Sequence, residues 1–109
     1  MVMYKVAAVS YLNTFPFIYG FRKSGLDKKM DFSLDIPSAC AEKLITNKVD
    51  IGLVPIVVLK QMQNAHIISD FCIGADGEVN TVCLFSDAPI QEIESIFLDY
   101  QSKTSVELL

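Results

Sequence analysis

At 109 residues the chain has the length of one ordinary domain, enough to enclose a hydrophobic core. Hydrophobic residues make up 51% of it and charged residues 20%, a balance that excludes a disordered chain. Thirteen acidic against nine basic residues give a net charge of −4, which leaves no electrostatic footprint for nucleic acid. A small anion stays possible, because local N–H groups can bind one inside an acidic protein.

Tyr4 to Val9 reads as a short apolar strand, and a polar turn leads from it into a helix over residues 15–23. Pro16 suits the first turn of that helix, where its missing N–H is not needed. Gly25 and the charged Asp27, Lys28 and Lys29 close the unit. Residues 31–36 alternate Phe32, Leu34 and Ile36 on one side with Ser33 and Asp35 on the other, the pattern of a half-buried strand. Pro37 and Ser38 start a helix that runs to about Asn47, with Ala41, Leu44 and Ile45 on its inner face. Residues 50–54 form a buried strand stopped by Pro55, which opens a helix over residues 56–63.

Beyond that point residues 66–73 and 79–86 read as strands joined by the turn Gly74-Ala75-Asp76-Gly77. A short helix over 89–95 and a strand over 96–99 follow, and Val106, Leu108 and Leu109 mark an amphipathic helix starting near Thr104. Alternation of this kind implies an α/β domain, a mostly parallel sheet flanked by helices. The last helix has barely one turn, too short to be stable alone. It is either a short docked terminus or the start of a second domain cut off by truncation, and the second is the expectation.

Cys40, Cys72 and Cys83 are odd in number and show no C-x-x-C spacing, so core thiols of a reducing cytoplasm are expected. The one histidine, His66, is expected at a strand edge. The N-terminal stretch does not read as a signal peptide, and no apolar run approaches the roughly 20 residues of a membrane helix. A cytoplasmic protein with no membrane or nucleic-acid partner is expected.

Four stretches could carry chemistry, each where a strand hands over to a helix, the place where open α/β sheets bind ligands. Ser10, Asn13 and Thr14 follow the first strand; on chemistry alone a helix cap is their favoured role. Ser38 follows the second strand and is either a cap or a ligand contact. Around the third strand Gly52 lets the backbone approach a neighbour, while Asp50 is expected to be simply a strand-start residue. Ser102, Thr104 and Ser105 present three hydroxyls at a helix start, with Lys103 adding charge or facing solvent. No segment holds a Ser-His-Asp set, a phosphate-binding glycine loop or a pair of spaced carboxylates. Composition and spacing stop at an α/β domain that binds a small anion.

Taken together, the residues resemble a known family. VSYLNTFPFIYG at 9–20 resembles the opening motif of the chorismate dehydratases, and VDIGLVP at 49–55 resembles their third-strand motif. CIGADGEVNTVCLFS at 72–86 is similar to their hinge, and LDYQSKTSVELL at 98–109 to their S-R-T-S segment. Four motifs in order over nearly the whole chain make a specific match. The resemblance implies a periplasmic-binding-protein-like type II fold, with residues 1–86 an incomplete first lobe carrying a hinge strand and 87–109 the start of a second. It implies dehydration of chorismate, a dicarboxylate, to 3-[(1-carboxyvinyl)oxy]benzoate on the futalosine route to menaquinone, with no cofactor.

By position, Asn13 would be the central polar group near the reacting ring. Thr81 would bind substrate from the hinge, and Ser102, Thr104 and Ser105 would grip a carboxylate. Ser10, Thr14 and Ser38 are the remaining substrate-binding candidates. Ala75 and Thr81 stand where the family usually has serine, and Lys103 where it has arginine, which loses bidentate geometry but keeps charge. No motif residue has a pKa suited to a base, so a carboxylate of chorismate itself is expected to take the ring proton. The 109 residues alone are expected to show no dehydratase activity, and bare strand edges would favour a homodimer or swapped assembly. Three other readings stand beside this one: a non-catalytic small-anion solute-binding module of the same fold, the related naphthoate synthase of the same pathway, and a small interaction domain.

Overall fold

A run of Val6-Ala7-Ala8-Val9 with no polar break suits a strand covered on both faces. In the computed structural model, which describes residues 2–109, these four are the buried residues of β1 (Tyr4–Val9). Strands β2 (Met30–Asp35) and β3 (Ile51–Gly52) flank it, both parallel, in the order β2-β1-β3. Parallel neighbours require crossovers, supplied by α1 (Phe15–Ser24) and α2 (Pro37–Ile45). The two crossovers run in opposite directions across the sheet, so a common hand puts their helices on opposite faces.

The register shows which face is which. Val6 pairs with Phe32 and Ala8 with Leu34, and on that side the ring of Phe32 meets Phe21 of α1 at 5.6 Å between centroids. Ala7 and Val9 point the other way and pack on Cys40 of α2, with Val49 and Val54 around them. Ser33 and Asp35 share that second face, where Lys43 of α2 reaches both.

Local sequence sets the ends of these elements. Pro16 and Pro37 occupy first-turn positions. Gly25 closes α1 at φ 74°, donating its N–H to the carbonyl of Arg22. Asn47, at φ 55°, ends α2 in a Schellman arrangement: Lys48 N–H bonds to Lys43 C=O and Asn47 N–H to Leu44 C=O. Asp50 is the strand-start residue, since its N–H donates to Lys5 C=O while its carboxylate accepts the Lys5 N–H at 2.8 Å. At Gly52 a Cβ would lie 3.1 Å from both Leu44 and Val54, so glycine is what lets α2 close on β3.

The helix expected over residues 56–63 is a 3-10 helix instead, Ile56–Gln61, as three successive β-branched residues disfavour the α form. Val57 and Val58 are buried there against Ala41, Ile45 and Met62.

The larger departure lies beyond. The strands expected over 66–73, 79–86 and 96–99 do not form, and the expected helix over 89–95 is one 3-10 turn, Ile90–Glu92. Every residue from His66 to Glu92 is exposed. Short runs rich in β-branched and aromatic residues favour extended chain, but a strand exists only when a neighbour accepts its ladder, and no described segment does so. Phe71 and Phe85 stay 80% and 88% exposed. Cys72 and Cys83 are accordingly exposed thiols, not core ones, and His66 sits at no strand edge.

The chain returns in α3 (Lys103–Leu108), which lies against the Ile56–Gln61 turn, with Lys60 Nζ 3.9 Å from Glu107 Oε2. No helix among the described residues is long and apolar enough to cross a membrane.

Candidate functional site

The first turn after β1 is held by the backbone. Ser10 donates its N–H to Asp35 C=O at 2.8 Å, which ties the carboxyl end of β1 to that of β2. Leu12–Thr14 then form a single 3-10 turn, with Thr14 N–H bonded to Tyr11 C=O at 3.0 Å, before α1 begins. The cap positions of the turn and of α1 fall on Tyr11 and Thr14, and neither side chain makes a capping bond. The cap role favoured on chemistry alone is therefore not taken up, and Ser10 and Asn13 are exposed at the end of the sheet. Thr14 is fully buried, and its hydroxyl has no hydrogen-bond partner among the described residues. Such a group costs about 1–3 kcal/mol.

Ser38 occupies the second helical position of α2, half-buried, behind an Ile36 cap that makes no side-chain bond. It too is not a cap. It shares the carboxyl end of the sheet with Ser10 and Asn13, whereas Asp50 is placed at the amino end beside Lys5. Thr81 sits on an exposed turn, and the hinge strand expected to carry it is absent.

The fourth segment joins the first. Tyr11 donates its phenol O–H to Oε1 of Gln101, ninety residues away. The rest of Gln101 is fixed as well: its Nε2 donates to the Tyr100 hydroxyl at 3.0 Å and its backbone N–H to Asp99 Oδ1 at 2.9 Å. The next residue, Ser102, is the cap of α3, its Oγ accepting the Ser105 N–H at 3.2 Å, with the two hydroxyl oxygens 2.9 Å apart. Ser102, Lys103, Thr104 and Ser105 are all half-buried.

Electrostatics concentrate on one pair. The Lys43 ammonium, 2.6 Å from Asp35, holds that carboxyl below its ordinary value, with Ser33 assisting against partial burial. Burial pushes the Cys40 thiol up, and the nearby Asp35 charge adds to the effect. These residues brace α2 against β2 beneath the carboxyl ends of the strands.

Two shallow cavities lie on the surface of the described residues. One of about 270 Å³ is lined by Lys5, Asp31, Ser33, Lys43 and Lys48 at the amino ends of β1 and β2, away from the 10–14 turn. The other, about 260 Å³, lies under α3 between Ile56, Val57, Lys60, Thr104, Glu107 and Leu108. Both fall below the roughly 300–1,000 Å³ of an enclosing ligand pocket, and of the candidate residues only Thr104 lines either of them.

The strand-end segments are legible in the sequence, whereas Tyr11, Gln101, Asp35 and Lys43, the groups that hold them, are not. Two polar residues on the α2 side of β2 demand a polar partner, a signal that could have pointed to Lys43. The Tyr11–Gln101 bond has no such signal, being a product of tertiary placement. The family described as menaquinone biosynthesis matches residues 4–109 of the chain. No solved structure matches it.

Proposed function

The chain belongs to the menaquinone biosynthesis family, and from that premise we propose that it is a chorismate dehydratase lobe of the futalosine route, in the cytoplasm. The observation that carries this reading is the meeting of the 10–14 and 101–105 segments through Tyr11 and Gln101. It gathers hydroxyl and amide groups from both ends of the chain at the carboxyl end of one parallel sheet, the position where such sheets take ligands.

In the proposed reaction the ring C–H bond of chorismate breaks, its electrons become the new ring double bond, and the ring C–OH bond breaks. The hydroxyl leaves as water with a proton, so atoms balance with no oxidant or reductant. A carboxylate of the substrate takes the ring proton, since Ser10, Asn13, Ser38 and Thr104 offer hydrogen bonds and no base. Asn13, exposed on its turn, orients the ring and the departing hydroxyl. Ser102, Thr104 and Ser105 hold a carboxylate, with Ser38 and the Thr81 segment as further contacts once a periplasmic-binding-protein-like second lobe closes over the surface. Aromatisation supplies driving force, which leaves positioning as the protein's task.

Calorimetric titration tests the reading. Chorismate is expected to bind, the cyclic futalosine product used by the naphthoate synthase is expected not to, and Asn13→Ala is expected to weaken chorismate. In the two-lobed enzyme the same substitution is expected to lower turnover by roughly a hundredfold or more, the usual scale for losing a preorganised polar group. Binding of the cyclic product alone would move the assignment to the later step.

A further inference from the structure

We propose that Tyr11 and Gln101 form a latch that positions the 102–105 segment beside the 10–14 turn, making both of them positioning residues. The claim rests on the chorismate reading only for its consequence, because the latch itself is a matter of geometry. Gln101 is bracketed: Tyr100 accepts from its Nε2 and Tyr11 donates to its Oε1, which sets the orientation of the amide between two phenols. Its backbone N–H is taken by Asp99, so the residue is held at three points immediately before the α3 cap.

The rest of the docking is thin. Lys60 and Glu107 are 75% and 52% exposed and 3.9 Å apart, a separation and exposure that contribute little. The apolar contact around Ile56, Val57 and Leu108 leaves a cavity of about 260 Å³. A six-residue helix does not hold its own conformation. Among the described residues the Tyr11–Gln101 bond is thus the one specific tie between the 102–105 segment and the strand-end turn, and breaking it frees α3 from that turn.

Trypsin cleavage after Lys103, followed by release of the 104–109 peptide in mass spectrometry, reads this directly. Tyr11→Phe keeps the ring of a residue 40% exposed and removes only the hydroxyl. It and Gln101→Leu are each expected to speed cleavage about two- to ten-fold, the population shift from losing one hydrogen bond. The double variant is expected to match either single one, and Gln101→Glu, which keeps an acceptor, to stay near the parent rate. Parent-like cleavage in both single variants, multiplied effects in the double, or equal acceleration after Lys48 would overturn the latch. Chorismate added to the parent protein is expected to slow cleavage at Lys103. Faster cleavage in Tyr11→Phe with no chorismate effect supports the latch and counts against the dehydratase reading alone.

Discussion

Cys40 is wholly buried between β1 and α2, while Cys72 and Cys83 are exposed on the long irregular segment. A thiol reagent at neutral pH is expected to modify two sulfurs at once and the third only after unfolding; three fast equivalents would contradict this packing. Next to Cys40, Asp35 and Lys43 form the brace of α2. The folded carboxyl titrates below its ordinary value of 3.8, so the pair's contribution is fully present above that value. It is lost as pH falls through the lowered folded value. Lys43→Met is expected to cost up to about 1 kcal/mol at pH 7. In urea melts the difference from the parent is expected to close as pH falls well below 3.8, and a pH-independent difference would assign the effect to packing. The alternation of residues 31–36 was legible because side-chain direction in a strand has a period of two. Lys43 was not, because its reach back to Asp35 depends on how α2 crosses the sheet.

Strand β1, α1, β2 and α2 were legible in order and within a residue or two, since Pro16, Pro37 and Gly25 punctuate an apolar pattern of the right period. Gly52 was legible as a close-approach point, and the 3.1 Å contacts a Cβ would make explain it. Gly52→Val is expected to lower stability by about 1–3 kcal/mol in thermal melts, as overpacking does; an unchanged melt would mean that Leu44 yields freely. The segments over 66–73 and 79–86 are rich in β-branched and aromatic residues between turn signals, yet form no strand. Helical hydrogen bonds close within the segment, so periodicity foretells a helix well. Strand hydrogen bonds close elsewhere, and the identity of that partner is written in no local pattern. Amides of residues 66–98 are accordingly expected to exchange within the dead time, while those of Val6 to Val9 are protected.

At the scale of the molecule, the chain exposes 8875 Å², against about 6,000 Å² for a compact protein of 12.1 kDa. Its radius of gyration is 16.4 Å where about 13 Å is the compact value. Both excesses come from residues 66–101, which run outside the three-stranded sheet before α3 returns to it. Small-angle scattering is expected to give a radius near the larger figure. Of the candidate site, the strand-end positions of Ser10, Asn13 and Ser38 were legible from the alternation of elements. The arrival of Ser102 and its neighbours beside Tyr11 was not, as it spans the irregular segment. The most direct test of that convergence is an amide NMR titration with chorismate. Shifts are expected to appear together at Ser10, Asn13 and residues 102–105 and to be lost in Asn13→Ala. Shifts confined to the Lys5, Asp31 and Lys48 surface at the amino ends of the strands would contradict it.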